Sequence, residues 1–502
     1  MKIYINKKDV PNYMKGDIPS DVIDYIVQKQ QKYEHHCKNL LDRYKCKDKP
    51  IHTEKDKVKV KANYCKYIVD ITKGYYLSEP IKYDNNDKKD NDAGSKLSVV
   101  TTVEAKLDKK SGNLVRHNPS DTLKKKIDIS PIIDVYHSQN ISAIDDKNGK
   151  NMGIFGEACE LVYASTDDKP VPKSAAYKPY SIVLVQDNTV EHNDLFAMLI
   201  DKRERINNEK YYAVTIYTET VQQDYESENL DVADYKYHSV GEPVSNFFGA
   251  VPVICYENNE ELQGDFEQVI SLIDARNDLL SDRLTDKKAF VDAVLAVYGA
   301  VLDTSAKKVM KEEKIIDGLP KDSKLEYLQK TFDEASLKVL DDTLVMEIHK
   351  QTLTPDMTDE NFSGNASGVA LKLKLLALNI LVKSKMRAVE TGLKKRWLLY
   401  NNFLSQKGGF TPVSIDDVDI VFTISMPIDE QQTVDMVVKL KNSDLVDDQT
   451  LLSLLWFVKD PAEALENIKR QREENQKSYL DSFGRQDLTK QDDEENNEDT
   501  DE

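Results

Sequence analysis

The sequence predicts an α+β protein, mainly helical, and three observations carry that expectation. Long stretches place apolar residues three or four positions apart, as in Leu371, Leu375, Leu378, Val382, Met386, Val389, Leu393 and Trp397, the spacing of one buried helix face. Between Tyr180 and His238 the pattern switches to short runs rich in β-branched and aromatic residues, separated by polar turns, as in an antiparallel sheet. The 502 residues are 40 % hydrophobic and 31 % charged, which suits about three or four compact units with their own cores.

Taken in order, Pro19-Ser20 precedes Val22, Ile23, Ile26, Val27, Tyr33, Cys37, Leu40, Leu41 and Tyr44, so a helix is expected over Ser20 to Cys46. After a lysine-rich stretch, Lys45 to Lys61, a second helix is expected over Tyr64 to Ile71, stopping at Gly74 before a turn at Tyr75 to Pro80. Asp84 to Ser95 has almost no apolar residue and reads as an exposed loop or disordered insertion. Ile127 to Ala164 carries mixed helical signals around a glycine-rich bend at Gly149, Gly153 and Gly156. Strands are expected at Ser181 to Val185, Leu195 to Ile200 and Tyr211 to Tyr217, with a last short one at Val251 to Cys255.

Beyond that the chain becomes mainly helical. Asn259 to Lys287 reads as a long helix with one apolar and one acidic side, and Phe332 to Lys350 as a second. Between them Phe290 to Lys330 is a compact block, β-like over Val291 to Val301 with turns at Asp317-Gly318 and Leu319-Pro320, so the helices read as an antiparallel pair carrying a tip. Gln351 to Ser367 is a polar loop, and Gly368 to Asn402 a helix roughly 50 Å long. A strand at Asp419 to Met426 and three helices within Gln431 to Leu480 follow, with breaks at Asn442-Ser443-Asp444 and Asp460-Pro461. The acidic tail is expected to be disordered.

Charge and cysteine usage narrow the class. The chain has 69 Lys and Arg against 88 Asp and Glu, a net charge of −19, and the segment from Gln486 to Glu502 holds nine of those acids against Lys490 alone. A protein that grips duplex DNA by neutralising phosphates needs the opposite sign, so any DNA contact here is local or deliberately non-adhesive. No run approaches the roughly 18 to 20 apolar residues of a bilayer helix, so no membrane role is expected. The start, MKIYINKKDV, lacks the apolar stretch of a signal peptide, so none is expected. Five scattered cysteines, Cys37, Cys46, Cys65, Cys159 and Cys255, fit reduced thiols in a cytosol.

Catalytic and metal-binding patterns are weak. Gly149 to Gly156 resembles a P-loop only in its glycines, because the Lys and Ser/Thr that cradle phosphates are missing. His35, His36 and Cys37 with Cys46, His52 and Cys65 lack the paired spacing of a zinc site, and Cys37 falls on an apolar helix stripe. Asp356, Asp359, Glu360 and Asn361 match a calcium loop in composition only. Lys287-Lys288, Lys307-Lys308 and the series Lys372, Lys374, Lys383, Lys385, Arg387, Lys394, Lys395 and Arg396 read as ordinary polar helix faces. No enzyme, cofactor or metal is expected from these residues.

Several strings nevertheless resemble one family. Leu353 to Gly368 (LTPDMTDENFSGNASG) before a Leu- and Lys-rich helix, Gly74 to Ile81, Val185 to Thr189, and Val253 to Asn259 leading into Gly264 to Glu267 are similar to the portal proteins of tailed bacteriophages, of the type found in long-tailed phages of Gram-positive bacteria. The resemblance covers about Ser20 to Leu480 and departs at Asp84 to Thr122.

The resemblance implies a portal fold with wing, stem, clip and crown, assembled as a dodecameric ring at one vertex of the phage head. Residues 1–258 would form the wing with a divergent insertion at about 84–122, 259–289 and 331–350 the stem helices, and 290–330 the clip. A tunnel loop would span 351–367, a long wing helix and wing strand 368–428, a crown 429–482, and an acidic tail 483–502. Double-stranded DNA would pass the channel, touching or gated by Thr354, Pro355, Asp356, Met357, Thr358, Asp359, Glu360, Asn361, Phe362 and Ser363. Asp356, Asp359 and Glu360 would face the lumen, together with the candidate lumen lysines Lys287, Lys288, Lys307 and Lys308. Implied partners are further copies of the chain, the terminase large subunit, head-tail connector or adaptor proteins, and the major capsid and scaffolding proteins, in the virion and in the host cytoplasm during assembly. A head-tail adaptor or minor capsid protein, or a packaging enzyme with degenerate motifs, stays open as the alternative.

Overall fold

The computed structural model describes residues 1–47, 58–85, 128–230, 236–291, 294–299, 322–328, 334–357, 372–406, 410–424, 430–443, 446–455, 457–458, 461 and 463–475. Two compact units divide the chain: Met1–Ser363 with Leu373–Ser425, and Gly364–Lys372 with Met426–Glu502. Both helix and sheet are present, as an α+β fold requires.

In the first unit, β1 (Lys2–Ile5) is followed by α1 (Ser20–Tyr44), α2 (Tyr64–Leu77), β2 (Lys82–Asn85), α3 (Ser130–Ser138) and α4 (Ile141–Phe155). Eight strands come next: β3 (Glu157–Ala164), β4 (Pro172–Tyr177), β5 (Ile182–Asp187), β6 (Asp194–Glu204), β7 (Lys210–Thr218), β8 (Val221–Ser227), β9 (Tyr237–Ser245) and β10 (Val253–Glu257). A six-stranded sheet has the order β1-β5-β6-β7-β8-β9, with β1 parallel to β5 and the other pairs antiparallel. A three-stranded sheet has the order β10-β3-β4.

Alternation along the strands decides what covers each face of the larger sheet. Val183 and Val185 of β5, Phe196 and Met198 of β6, and Val214 and Ile216 of β7 pack in one core with Ile23, Ile26 and Val27 of α1. Ile182, Leu184 and Ala197 point the other way and pack with Cys159, Leu161 and Val253 of the smaller sheet. Burial on both faces explains why β5 is an unbroken apolar run rather than an alternating one. A third core joins the far end of α1 (Cys37, Leu40, Tyr44) to Cys65, Ile68 and Val69 of α2 and Ile154 and Phe155 of α4.

The helical half of this unit comprises α5 (Ile270–Val291), α6 (Glu334–Thr352) and α7 (Leu376–Gln406), with a short antiparallel pair, β11 (Val294–Tyr298) and β12 (Lys324–Leu328), between the first two. Arg276 meets Asp341 at 2.7 Å and Lys287 meets Glu334 at 3.5 Å, so α5 and α6 run antiparallel. β13 (Val418–Val421) pairs with β2. The second unit contains α8 (Glu430–Asn442) and α9 (Asp448–Ser453), the latter capped by Asp447, whose carboxylate accepts from Thr450 N at 2.9 Å; residues 463–475 are also helical.

Several sequence expectations change. The helix expected to stop at Gly74 continues to Leu77. Gly149 and Gly153 lie inside α4, not in a bend, because they are contact points: a Cβ would sit 2.3 Å from Leu77 Cδ1 and 2.8 Å from Val69 Cγ1, respectively. Only Gly156 turns the chain, at φ +83°. The helix expected from Asn259 begins at Ile270, because Asn258 and Asn259 tie the preceding turn: Asn259 Oδ1 accepts from Gln263 N and Asn258 Nδ2 donates to Gln263 O, both at 2.8 Å. The helix expected from Gly368 is interrupted at Leu375, and the 31 residues of α7 extend about 46 Å. Glu157 to Ala164 is a strand; β1, β2, β4 and nearly all of β9 are strands that were not expected, and β8 falls within the stretch read as sheet but at no named run. The sequence departures at 86–122, the turns at 317–320 and the tail lie outside the described residues. Among the described residues no helix is long and apolar enough to cross a membrane.

The basic series on α7 is the largest change. Lys385 and Arg396 are buried rather than solvated. Lys385 donates to Asn258 Oδ1 at 2.8 Å and pairs with Asp265, fixing the turn before α5. Arg396 has no solvent exposure; its Nε donates to Glu160 Oε1 at 2.8 Å and its Nη2 pairs with Asp145 at 2.7 Å. Tyr256 OH and Asn148 Nδ2 complete the shell of Glu160 at 2.9 and 2.8 Å. Burial alone would push the Glu160 carboxyl up, but the guanidinium and these hydrogen bonds hold it below its ordinary range. At Asp145 burial outweighs the same guanidinium and its carboxyl is raised.

Two substitutions test this packing. Gly156→Ala combines a left-handed backbone with a Cβ placed 1.9 Å from Leu262 O, and is expected to cost at least about 2 kcal/mol in a denaturant melt. Arg396→Met strands two buried carboxylates and is expected to cost about 3 to 5 kcal/mol by the same measurement.

Candidate nucleic-acid interface

The candidate loop leaves the C-terminal end of α6, and its root is built from three helices. Thr352 Oγ1 donates to Ile348 O at 2.8 Å, and its hydroxyl meets that of Thr354 at 2.6 Å. Between them Leu353 takes a positive φ of 55°, which reverses the chain out of the helix. His349 Nδ1 lies 3.0 Å from Thr354 O, so the ring nitrogen carries the proton it donates there. The other ring nitrogen then faces the Asp356 carboxylate at 3.9 Å.

Helix α2 supplies the clamp. Tyr64 and Tyr67 are three residues apart at its first turn and so share a face. Tyr67 OH donates to Pro355 O at 2.9 Å and accepts from Met357 N at 3.1 Å, bracketing Asp356 from both sides. Both tyrosine rings meet His349 edge-on with centroids 5.8 Å away. Burial raises both phenols above their ordinary range, keeping them neutral hydrogen-bonding groups. From α5, the Arg276 guanidinium lies 5.1 Å over the Tyr64 ring while binding Asp341 of α6.

This geometry sorts the candidate residues. Thr354 is 2 % exposed and hydrogen-bonded within the subunit, so it anchors the loop root. Pro355 and Asp356 are half-buried at the root, and Met357 is 47 % exposed where the chain leaves it. Thr358, Asp359, Glu360, Asn361, Phe362 and Ser363 lie outside the described residues, as do Lys307 and Lys308. Lys287 and Lys288 are exposed near the end of α5, with Lys287 paired to Glu334. The clamp residues Tyr64, Tyr67 and His349 were not singled out from sequence; the i, i+3 tyrosines opening α2 were the available signal.

Of the zinc candidates, His52 lies outside the described residues. Cys37 and Cys65 are buried in the third core, Cys46 is exposed, and His36 Nε2 meets Glu267 at 3.1 Å. Among the described residues no group of three or more His, Cys, Asp and Glu is placed to hold a metal ion. The stretch Gly149 to Phe155 is helical and cannot form a phosphate-cradling loop.

Tyr67→Phe removes both hydrogen bonds that pin the loop root. The expected result is a loss of about 1 kcal/mol at that site, read as faster amide hydrogen exchange at Met357 while exchange in β5 to β7 stays unchanged.

Comparison with known proteins places this architecture. The family model described as "Phage portal protein, SPP1 Gp6-like" matches residues 23–478. The portal protein of Bacillus phage SPP1 is 24 % identical over 339 residues, a match covering 62 % of this chain and 64 % of that protein, just under two thirds of its length. With the family model spanning both the sheet half and the helical half, the chain belongs to the phage portal protein family.

Proposed function

We propose that the protein assembles as a dodecameric ring at one vertex of a phage capsid, where it forms the channel for DNA packaging, retention and ejection. The family match across residues 23–478 carries this reading. In it, residues 1–258 with 368–428 form the wing, the antiparallel helices α5 and α6 lie in the stem, and β11 and β12 belong to the clip. The clip docks the terminase large subunit first and head-tail connector proteins later. Residues 429–482 form the crown, and the outer surface meets the major capsid and scaffolding proteins.

The physical chemistry of the chain supports a conduit. A channel that lets duplex DNA slide must not bind it tightly, and a net charge of −19 disfavours phosphate contact outside local basic positions. The loop beginning at Asp356 contacts or gates the DNA, with Asp359 and Glu360 toward the lumen, and lysines such as Lys288 offset the barrier. A closed ring of identical subunits needs a different patch on each flank. The long helices α5, α6 and α7 provide exposed apolar positions for those patches, among them Val339, Met346 and Ile380.

Electron microscopy of the purified full-length protein tests the ring. Turbine-like particles with a central channel wide enough for duplex DNA are expected, whereas a uniform monomer, even with scaffolding protein added, counts for the adaptor reading. Deleting residues 356–363 is expected to leave rings intact while most heads stay empty of DNA; normal DNA-filled heads would sink the loop's role.

A further inference from the structure

Two cysteines of the smaller sheet have no part in this function. Cys159 on β3 and Cys255 on β10 are direct cross-strand partners, and their sulfur atoms lie 3.7 Å apart. The pattern of ladder bonds defines their geometry further. Val162 N donates to Pro252 O at 2.8 Å and Asn258 N to Gly156 O at 2.8 Å, each pair three positions away from the cysteines. Because hydrogen-bonded and non-hydrogen-bonded pairs alternate along an antiparallel ladder, Cys159 and Cys255 form a non-hydrogen-bonded pair, with Cα atoms about 4.5 Å apart. That separation lies inside the range a disulfide spans, about 4.4 to 6.8 Å.

The two thiols also differ in the way a stepwise oxidation requires. Cys159 is fully buried among Leu161, Ile182, Leu184 and Val253, whereas Cys255 is partly exposed at the edge of the same cluster. The hydrogen bond between the sulfurs lowers the Cys255 thiol below its ordinary value and raises that of Cys159. One sulfur is accessible; the other is shielded, lies within reach of it and has the Met1 ammonium 3.7 Å away.

We propose that Cys159 and Cys255 are a reversible dithiol–disulfide site, closed by a small-molecule disulfide such as oxidised glutathione. The Cys255 thiolate attacks one sulfur of the oxidant; a Cys255–glutathione bond forms and one glutathione thiolate leaves. Cys159 sulfur then attacks Cys255 sulfur, forming the protein disulfide, and its proton goes to the second departing glutathione. Two protein thiols are oxidised by two electrons, and one glutathione disulfide is reduced to two thiols. The bond staples β3 to β10, immediately before the turn that starts α5. It closes when the protein passes from a reducing to an oxidising compartment, as a capsid component released from its host does. That last clause rests on the portal reading; the chemistry does not, so failure of the crosslink and failure of ring formation are separate results.

The test uses the full-length protein incubated with oxidised glutathione, denatured in an alkylating reagent and mapped by mass spectrometry. The expected product joins Cys159 to Cys255 with loss of two hydrogens, leaves Cys37 and Cys65 alkylated, and returns to five alkylated cysteines after dithiothreitol. Exposed Cys46 reports whether the oxidant was active. The linked protein is expected to melt several degrees higher than the reduced form, since the bond closes a loop of about 100 residues. Cys255→Ser is expected to leave Cys159 reduced under the same treatment. Free Cys159 and Cys255 alongside an oxidised Cys46, a reaction that stops at a Cys255–glutathione adduct, or a glutathione adduct on Cys159 in the Cys255→Ser protein would each overturn the proposal.

Discussion

The fold depends on one buried charge being met. Glu160 stands in the middle of β3 with no solvent exposure, and the guanidinium that neutralises it comes from Arg396, far along the chain on α7. A buried ion pair adds little net stability over apolar residues of the same shape, but removing one partner is severe. The contact therefore acts mainly on alignment. If α7 slid by one residue, Arg396 would miss Glu160 and Asp145, Lys385 would miss Asp265, and Gly392 would no longer lie against the Tyr256 ring, where a Cβ would come within 2.3 Å. With that alignment fixed, the turn at Asn258 to Gly264 is fixed, and so is the start of α5. The helix pair and the loop root are built outward from there.

The loop root obeys a different economy. It is held by neutral hydrogen bonds and aromatic edges, with Tyr67 bracketing Asp356 through backbone groups on both sides. Interactions of this kind are worth about 1 kcal/mol each, well below the cost of stranding a buried charge. The scaffold is thus locked by interactions that fail together, and the functional segment is tethered by ones that fail singly. That division suits the role proposed for the loop, which would meet moving DNA while the scaffold stays fixed.

Much of the framework was legible in the amino-acid order. Ser20 to Tyr44 shows its apolar stripe openly, and β5 to β7 announce themselves through β-branched runs, because in both cases burial is achieved by apolar side chains alone. Legibility fails where buried positions are polar. On α7 the stripe Leu378, Val382, Val389, Leu393 and Trp397 was legible and is buried, but Lys385, Gly392 and Arg396 share that burial, and two charges and a glycine gave no sign of it. Glu157 to Ala164 hid for the same reason, with buried Glu157 and Glu160 breaking an otherwise apolar strand. Gly149 and Gly153 looked like chain-bending residues because a glycine's role in close packing depends on a partner helix that local sequence does not reveal. At the candidate interface, the exit from the helix was visible to within two residues from the polar composition after Lys350. The clamp was not, since Tyr67 and Pro355 are 288 positions apart.

The long reach of the Arg396–Glu160 pair has a consequence for how the protein is made. The partners are 236 positions apart, so on the ribosome β3 emerges well before the helix that neutralises it. At about 5 to 20 residues per second, the strand waits roughly 10 to 50 s for its counter-charge. During that interval Glu160 cannot be buried without an unmet charge, and the sheets cannot close over it. The core around Glu160 is therefore completed only once α7 is available, and the last long helix of the first unit is what closes it.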